Sequence, residues 1–384
     1  MTPERPRRAD ATDAPVETPE TGLGPVSRAD VSSALSDPGS APLYAALDLG
    51  TNSCRMLIAQ PLGSQFSIID SFSKSVQLGV GLEASGRLSR SSMARTIQAL
   101  RICEKKIEKH GVRRMRLVAT EACRRARNAR DFIRQVRRET GLALEIIAPE
   151  EEARLAVISC APLVNASTEQ LLVVDIGGGS TELVWIDLSG VEPVNRARAI
   201  MRLHMGFNAQ GEGAVARVVD WISVPLGVAT LKDQFIDVDD DAARFALMSW
   251  FFEENLAKFS PYNATNPRQG FQIIGTSGTV TTVAASFLNL KRYDRTKVDG
   301  LQMTSDQIDL VIREYLSLGP EGRRTDPRIG RDRHALIMSG AAILQALMRI
   351  WPTDRLSVAD RGLREGLLYA QMSVDGVLQD GPYT

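Results

Sequence analysis

Short apolar runs, separated by polar or glycine-rich breaks, divide the chain after residue 42 into two series of elements. In the first series, apolar runs and period-two alternation predict strands at residues 44–50, 54–59, 65–72, 115–119 and 144–147. Helical spacing of apolar residues predicts helices at 91–109 and 129–138, and a further helix opens at residue 150. The resulting order, β-β-β-α-β-α-β-α, indicates the α/β class.

The same pattern starts again at residue 171. A strand at 171–176 is followed by predicted second and third strands at 181–186 and 197–203. The remainder is mostly helical, with a strand at 272–274 and long helices near 242–258 and 333–349. Because both series open with an apolar strand, an Asp, a Gly-rich turn and a second strand, we interpret them as a weak internal duplication.

The length of 384 residues is enough for two domains. We expect an N-terminal domain over residues 43–168 and a C-terminal domain over 169–384, with a last helix at about 361–373 packing back on the first domain. Residues 1–42 are rich in Pro, Ser, Thr, Ala, Asp and Glu and show no apolar period. Such a segment buries too little surface to offset its ordering entropy, so a disordered tail is predicted.

Charge and cysteine usage narrow the function classes. The 46 Lys and Arg balance 46 Asp and Glu, which argues against a nucleic-acid or membrane-surface partner. The four Cys and three His show neither metal-ligand spacing nor a disulfide framework. The sequence also lacks an apolar signal segment and a membrane span. A cytoplasmic protein is therefore expected.

The first motif that carries chemistry covers residues 48–53, where a strand ends in Asp-x-Gly. A glycine lets the backbone approach a phosphate closely, and the small polar residues after it add donors, while an arginine adds a cation. The predicted phosphate-binding residues are Gly50, Thr51, Asn52, Ser53 and Arg55. The same letters also fit an ordinary Asp-Gly hairpin turn.

The second motif, at residues 175–182, indicates a ligand site more specifically than the first. Three consecutive glycines after a buried strand weaken its packing unless a ligand must approach the backbone there. The predicted phosphate-binding residues are Gly177, Gly178, Gly179, Ser180 and Thr181. Carboxylates suit a divalent cation that would bind phosphate oxygens. The predicted ligands are Asp175 and Glu182, grouped with Asp48 of the first motif.

A third turn of the same kind follows the strand near residue 272. Its predicted phosphate-binding residues are Gly275, Ser277, Gly278 and Thr279. Three such turns, each directly following an apolar strand, are hard to explain as loops that only keep the protein soluble. We expect them to converge on one polyanion in a cleft between the two domains.

A run of three glutamates, residues 150–152, opens a helix after Pro149. Carboxylates in a first helical turn often only complement the helix dipole. The functional interpretation is a general base that takes a proton from the water attacking a phosphoryl group.

Together these motifs resemble the exopolyphosphatase/guanosine pentaphosphate phosphatase (Ppx/GppA) family, from about residue 44 to 372. The resemblance is carried by the motif at 48–53, the segment Ala119-Thr120-Glu121-Ala122-Cys123-Arg124, and the Glu151-Glu152-Ala153-Arg154 run. It continues through residues 175–182 and 275–279 and ends with residues 360–367, which contain Gly-Leu-Arg-Glu-Gly.

The resemblance implies an α/β fold with two ribonuclease-H-like domains of the actin-like and sugar-kinase superfamily around a central cleft. It implies release of terminal phosphate with Mg²⁺ or Mn²⁺, with Glu152 as the catalytic base and Arg124 facing phosphate. The chain resembles a short, two-domain member, and family members commonly form homodimers. It departs from the family pattern at Ala148-Pro149, Glu121 and Cys123, which bears on the length of substrate it prefers.

The function predicted is an exopolyphosphatase acting on inorganic polyphosphate. A phosphohydrolase acting on the 5′ end of pppGpp is the alternative, since both substrates present a run of phosphoanhydrides. An ATP-dependent kinase of the same superfamily and a non-catalytic (p)ppGpp sensor are the other classes. For Gly362 and Gly366 the favoured interpretation is close packing of a late helix on its neighbour.

Overall fold

The computed structural model of the chain describes residues 42–207, 216–263, 270–330 and 333–378. The predicted tail therefore lies outside the described residues, apart from Pro42. The strands of the first half are β1 (Tyr44–Leu49), β2 (Ser53–Leu62), β3 (Gln65–Ser75), β4 (Arg114–Ala119) and β5 (Glu145–Ile146). Its helices are α1 (Leu82–Ser85), α2 (Arg90–Lys109), α3 (Glu121–Arg125), α4 (Ala129–Thr140) and α5 (Pro149–Cys160).

The second half opens with another hairpin and is richer in helix. Its strands are β6 (Gln170–Ile176), β7 (Thr181–Asp187), β8 (Arg217–Val224), β9 (Phe271–Thr276), β10 (Gln302–Met303) and β11 (Leu356–Ala359). Its first helices are α6 (Arg196–Arg202), α7 (Val228–Gln234), α8 (Asp241–Leu256), α9 (Gly278–Phe287) and α10 (Arg295–Val298). The last are α11 (Ser305–Thr325), which breaks at Gly319, α12 (Ile337–Ile350) and α13 (Leu363–Val374).

The two sheets have the same strand order, which gives the internal duplication a structural form. The first sheet runs β3-β2-β1-β4-β5, and the second runs β8-β7-β6-β9-β11 with β10 added at its edge. In each, the opening strand pairs antiparallel with the next strand and parallel with the fourth. The predicted α/β fold of two ribonuclease-H-like units is confirmed.

One predicted element is wrong. Residues 197–203 form most of α6 instead of a third strand, and the third strand of the second hairpin is β8. A short apolar run fits either period, and the burial of successive residues (Ala199, Ile200 and Met201) against α5 favours the helix. β8 is an edge strand with a mixed surface pattern, so its alternation is weak in the sequence.

Helices α5 and α13 lie in a core that both halves share. Tyr44 of β1, Leu155 of α5, Val173 of β6 and Leu367 of α13 all belong to one buried cluster. The last helix packs on α5 and on β1, and the Gln371 side-chain amide donates to the Ala45 carbonyl oxygen. The division of the chain into domains at residues 168 and 169 therefore stays a prediction. Among the described residues, no helix is both long and apolar enough to cross a membrane.

We expect Gly366→Ala to destabilise the protein, because a Cβ at this position would lie 2.0 Å from the backbone oxygen of Leu155. Backbone cannot move aside as a flexible side chain can, so α13 and α5 would have to separate. We expect a loss of roughly 3 kcal/mol in the free energy of unfolding, measured by urea denaturation. A Cβ at Gly190 meets no atom within 4 Å, so Gly190→Ala is the matched control. Equal losses in the two variants would contradict this packing.

Candidate active site

The two Asp-x-Gly loops fold into the same backbone turn. The Gly50 amide donates to the Ser53 carbonyl oxygen at 2.9 Å, and the Gly177 amide donates to the Ser180 carbonyl oxygen at 2.9 Å. In each hairpin an Asp sits at the end of the central strand, opposite a charged residue of the next strand. Asp48 pairs with Arg55 and Asp175 pairs with Glu182. At this matching position the first hairpin thus carries a cation and the second carries a carboxylate.

These two loops touch each other across the cleft. An added Cβ at Gly178 would lie 3.3 Å from the Asn52 amide nitrogen, and one at Gly179 would lie 2.4 Å from the Thr51 Oγ1. On its other side the glycine loop is held by the start of α7, where the Val228 amide donates to the Gly177 carbonyl oxygen at 2.9 Å. Packing against the first loop therefore favours glycine at residues 178 and 179 whether or not a ligand binds.

The third loop begins a helix at the same cleft. Ser277 has a φ of 135°, and its Oγ accepts a hydrogen bond from the Thr279 amide at 3.2 Å. The loop follows β9, which is parallel to β6, so both strands carry their loops to one edge of the sheet. Gly278 and Thr279 lie on the cavity wall.

A cavity of about 190 Å³ lies where the three loops meet. Most of the predicted site residues line it. These are Asp48, Gly50, Thr51, Asn52, Ser53, Arg55, Glu152, Asp175, Gly177, Gly178, Gly179, Ser180, Ser277, Gly278 and Thr279. A second cavity of about 150 Å³ adjoins the first and shares Thr51, Asn52, Glu121, Gly179 and Leu336 with it.

Four predicted residues do not line either cavity. Gly275 is a buried position inside β9, next to Val280. The Thr181 hydroxyl donates to the Leu226 carbonyl oxygen at 2.7 Å. Arg124 and Glu182 lie behind the wall, and their partners are described below. These four residues therefore lie where they support the cavity wall and not where they meet a ligand in the cavity.

Glu152 lies on the cavity wall with its side chain almost fully buried. Burial and the charge of Glu182 raise the pKa of Glu152 well above its usual range, against the opposing charge of Arg124. The Arg124 Nη1 donates to the Glu152 Oε2 at 2.6 Å. The Nε and Nη2 of Arg124 donate to the Glu121 Oε2 at 3.1 and 2.9 Å. Arg124 is thus engaged by two carboxylates instead of being open to a phosphate.

Further buried carboxylates stand close to Glu152. Burial, with the charges of Glu152 and Asp48, raises the pKa of Asp175 to about 7. Burial also raises the pKa of Asp48, although Arg55 and Arg364 oppose it. Such a concentration of negative charge at low exposure is typical of a site that receives a cation.

Glu182 is the most enclosed of the predicted metal ligands. Its Oε1 accepts a hydrogen bond from the Ser223 hydroxyl at 2.8 Å. Burial and the charge of Asp175 raise its pKa to about 7, although hydrogen bonds from Ser180 and Ser223 oppose this. Glu182 therefore adds negative charge behind Asp175 without reaching the cavity.

The cavity also contains arginines that the sequence interpretation did not assign to phosphate. Arg333, Arg361 and Arg364 line it together with Arg55. Arg361 is paired with Asp299 at 2.9 Å, whereas Arg333 donates to the Gly278 carbonyl oxygen at 3.1 Å. No sequence motif marks Arg333, because it reaches the third loop from a segment 55 residues away.

Two buried donors at the site have no protein partner. They are the Thr51 hydroxyl and the Arg55 Nε. Unpaired buried donors cost free energy, so their presence on a cavity wall favours an acceptor-rich ligand such as a phosphate. Thr51 belongs to the first loop and Arg55 to the strand β2 that follows it, and a phosphate was predicted at both residues.

The donor set fits a divalent cation that is only partly ligated by protein. Among the residues described, no three His, Cys, Asp or Glu side chains are close enough to hold a metal by themselves. Mg²⁺ commonly uses one or two carboxylates together with water and substrate phosphates. Asp48 and Asp175, which both line the cavity, supply that number. The structure does not form the predicted three-carboxylate set, because Glu182 faces Ser223.

Comparisons with known proteins agree with this architecture. The sequence profile of the Ppx/GppA phosphatase family matches residues 57–374. The chain is 29% identical over 330 residues to a guanosine-5′-triphosphate,3′-diphosphate pyrophosphatase of Aeromonas hydrophila. That alignment covers 86% of this chain and 59% of the relative, so the chain spans less than two thirds of the relative's length.

Solved structures are similar over most of this chain and nearly all of their own length. The crystal structure of the Aquifex aeolicus Ppx/GppA family member is similar at 31% identity and a TM-score of 0.68, covering 87% of this chain and 98% of that one. An exopolyphosphatase from Cytophaga hutchinsonii has the same fold at 21% identity and a TM-score of 0.71, with coverage of 87% and 98%. The family profile and the repeated strand order together establish that this chain belongs to the Ppx/GppA phosphatase family.

Proposed function

We propose that this chain hydrolyses the terminal phosphoanhydride bond of a polyanionic substrate, with Glu152 as the general base. The observation that carries the proposal is the placement of the buried Glu152 on a cavity wall that three Gly/Ser/Thr loops complete. Phosphoryl transfer needs positioning, charge neutralisation and a group that orients or deprotonates the nucleophile. All three are present among the side chains and backbone at this cavity.

Each part of the wall has a chemical task in this proposal. The loops at residues 50–53 and 177–180 offer backbone amides and hydroxyls to phosphate oxygens. Arg55 and Arg333 supply positive charge against the developing charge of the phosphates. Asp48 and Asp175 would hold a divalent cation, proposed to be Mg²⁺ or Mn²⁺, which neutralises phosphate charge when bound. Glu152 accepts the proton of a water that lies in line with the terminal phosphorus.

Inorganic polyphosphate is the substrate we propose first. Among the described residues, the lining of the main cavity contains four arginines and no aromatic side chain, which suits a chain of phosphates without a base. The guanosine compound pppGpp is a second candidate, favoured by the name of the Aeromonas relative. The adjoining cavity also offers apolar side chains such as Val80, Leu82 and Leu336 that could cover a base.

Phosphate release from three substrates tests the proposal. Long-chain polyphosphate, tripolyphosphate and pppGpp would each be incubated with the chain and with Mg²⁺ or Mn²⁺. Release from polyphosphate supports the exopolyphosphatase, and preferential release from pppGpp supports the second candidate. Absence of release from all three would overturn the hydrolase and favour a kinase or a nucleotide sensor. Binding of pppGpp without hydrolysis would then identify the sensor.

A further inference from the structure

The feature that extends this picture is a trio of charged side chains, two on the cavity wall and one behind it. Arg124 uses its Nε and Nη2 for Glu121 Oε2, at 3.1 and 2.9 Å, and its Nη1 for Glu152 Oε2, at 2.6 Å. The same Nη1 also donates to the Ile147 carbonyl oxygen at 3.1 Å. All three nitrogens of the guanidinium are therefore engaged by protein oxygens. Its two outer edges each hold one carboxylate.

The three side chains differ in whether they reach the cavity. Glu121 and Glu152 line the cavity, whereas Arg124 does not. The Arg124 side chain is 13% exposed, and each of the two carboxylates is 11% exposed. A ligand in the cavity consequently meets the two carboxylates, and the guanidinium lies behind them as a brace.

Glu121 occupies the edge of Arg124 that a phosphate would otherwise compete for. A guanidinium binds phosphate and carboxylate with the same paired geometry. With its Nε and Nη2 edge free, Arg124 could turn towards an incoming phosphate and loosen its bond to Glu152. With that edge held by Glu121, Arg124 stays on the Glu152 Oε2. The Glu152 Oε1 then remains available to a water.

Glu121 is itself held in place by the opposite half of the molecule. It is the first residue of α3, directly after β4. A Cβ added at Gly179 would lie 2.8 Å from the Glu121 Cγ, so the glycine loop packs against the Glu121 side chain. The carboxylate is thereby set by contacts from both sides of the cleft.

From this geometry we propose that Glu121 is a positioning residue, which acts through Arg124 to orient the Glu152 carboxylate and to keep Arg124 from binding substrate phosphate. The inference rests on the proposed hydrolysis, since it concerns the base of that reaction. It assigns a task to a residue at which the sequence departs from the family pattern.

The test compares kcat and KM for the substrate that the wild-type chain hydrolyses. The variants are Glu121→Gln, Glu121→Ala, Arg124→Ala and the double variant Glu121→Ala/Arg124→Ala. We expect Glu121→Ala to lower kcat about tenfold, as for other groups that orient a reacting residue. KM should stay the same or fall, because the released guanidinium can bind phosphate. Glu121→Gln keeps the size and one acceptor oxygen, so a loss of about threefold is expected.

The double variant decides whether the effect passes through Arg124. If it does, Glu121→Ala/Arg124→Ala has the same kcat as Arg124→Ala alone. Asp187→Asn removes another carboxylate that is ion-paired and little exposed, 2.6 Å from Arg217 and outside the cavities, and should leave kcat within about twofold.

Three results would overturn the role of Glu121. These are a Glu121→Ala kcat within about twofold of wild type, losses that multiply in the double variant, or an equal loss in Asp187→Asn. If Glu121→Ala does not fold, Glu121→Gln and its double variant with Arg124→Ala provide the same comparison. A wild-type chain that releases no phosphate overturns the proposed function as well. An active wild type with unaffected Glu121 variants overturns only this inference.

Discussion

Glu152→Gln is expected to lower kcat for phosphate release about a thousandfold, with little change in KM. The amide matches the carboxylate in size and can still accept the hydrogen bond that Arg124 Nη1 gives to Oε2 at 2.6 Å. It cannot accept a proton from water, so the variant removes the base and keeps the packing. Initial rates of phosphate release at saturating substrate measure the effect, and the thermal midpoint verifies that the variant is folded.

The neighbouring glutamate gives a matched control within the same helical turn. Glu151 is held by Arg116 at 2.7 Å and by Arg154 at 3.2 Å, and it does not line either cavity. Glu151→Gln should therefore keep kcat within about twofold of wild type. If Glu152→Gln retained more than about a tenth of wild-type kcat, a general-base role for this residue would be untenable.

Asp175→Asn is expected to lower activity strongly and to stabilise the metal-free protein at high pH. Burial and the charges of Glu152 and Asp48 raise the pKa of Asp175 to about 7, from an ordinary value of 3.8. Well below pH 3.8 the carboxyl is protonated in both the folded and the unfolded chain. As pH rises towards 7, the unfolded chain releases this proton first, so the folded state loses stability. Above pH 7 the full cost of the buried charge remains.

Asparagine carries no charge, so its benefit depends on pH. At pH 8 without divalent cations, we expect Asp175→Asn to gain on the order of 2 kcal/mol in the free energy of unfolding. At pH 5 the gain should be smaller, because only the lower part of the interval between the unfolded and folded pKa values of Asp175 has been crossed. Activity should fall at least about a hundredfold, since a proposed cation ligand is lost.

Thermal midpoints at pH 5 and pH 8, with and without Mg²⁺, measure the stability effect. Mg²⁺ should raise the midpoint of the wild type more than that of Asp175→Asn. Asp187→Asn is a control whose stability should change in the opposite direction. Burial disfavours the Asp187 charge, but hydrogen bonds from Arg217 and Ser189 prevail and hold its pKa at about 2, so this variant should lose stability at pH 8. An Asp175→Asn midpoint that is lower than wild type at pH 8 would contradict the buried-charge argument.

The strands that carry the site could be predicted closely from the sequence. β1 and β6 were expected at their observed positions, because a short continuous apolar run that ends in Asp and Gly is typical of a buried strand followed by a turn. The third strand of the second hairpin was misplaced, since β8 is an edge strand with a mixed surface pattern. The close packing expected at Gly366 is present, where α13 meets Leu155.

The sequence was enough to predict which loops form the candidate site. Three Gly/Ser/Thr turns were expected to meet at one cleft, and the structure brings them to one cavity. The orientation of individual side chains within the motifs could not be predicted. Thr181 and Gly275 lie in the predicted motifs but at buried strand positions away from the cavity, because successive residues of a strand point to opposite faces of the sheet.

By itself, the sequence determined the features that depend on neighbouring residues. The matched turns at Gly50 and Gly177, the α/β class and the glutamates in the first turn of α5 all follow from local backbone preference and hydrophobic period. Only the tertiary structure decided which charged groups face one another. Arg124 meets Glu152 across 28 residues, and Arg333 meets Gly278 across 55. Such pairings arise from how sheets and helices pack, and packing places together residues whose separation along the chain has no fixed period.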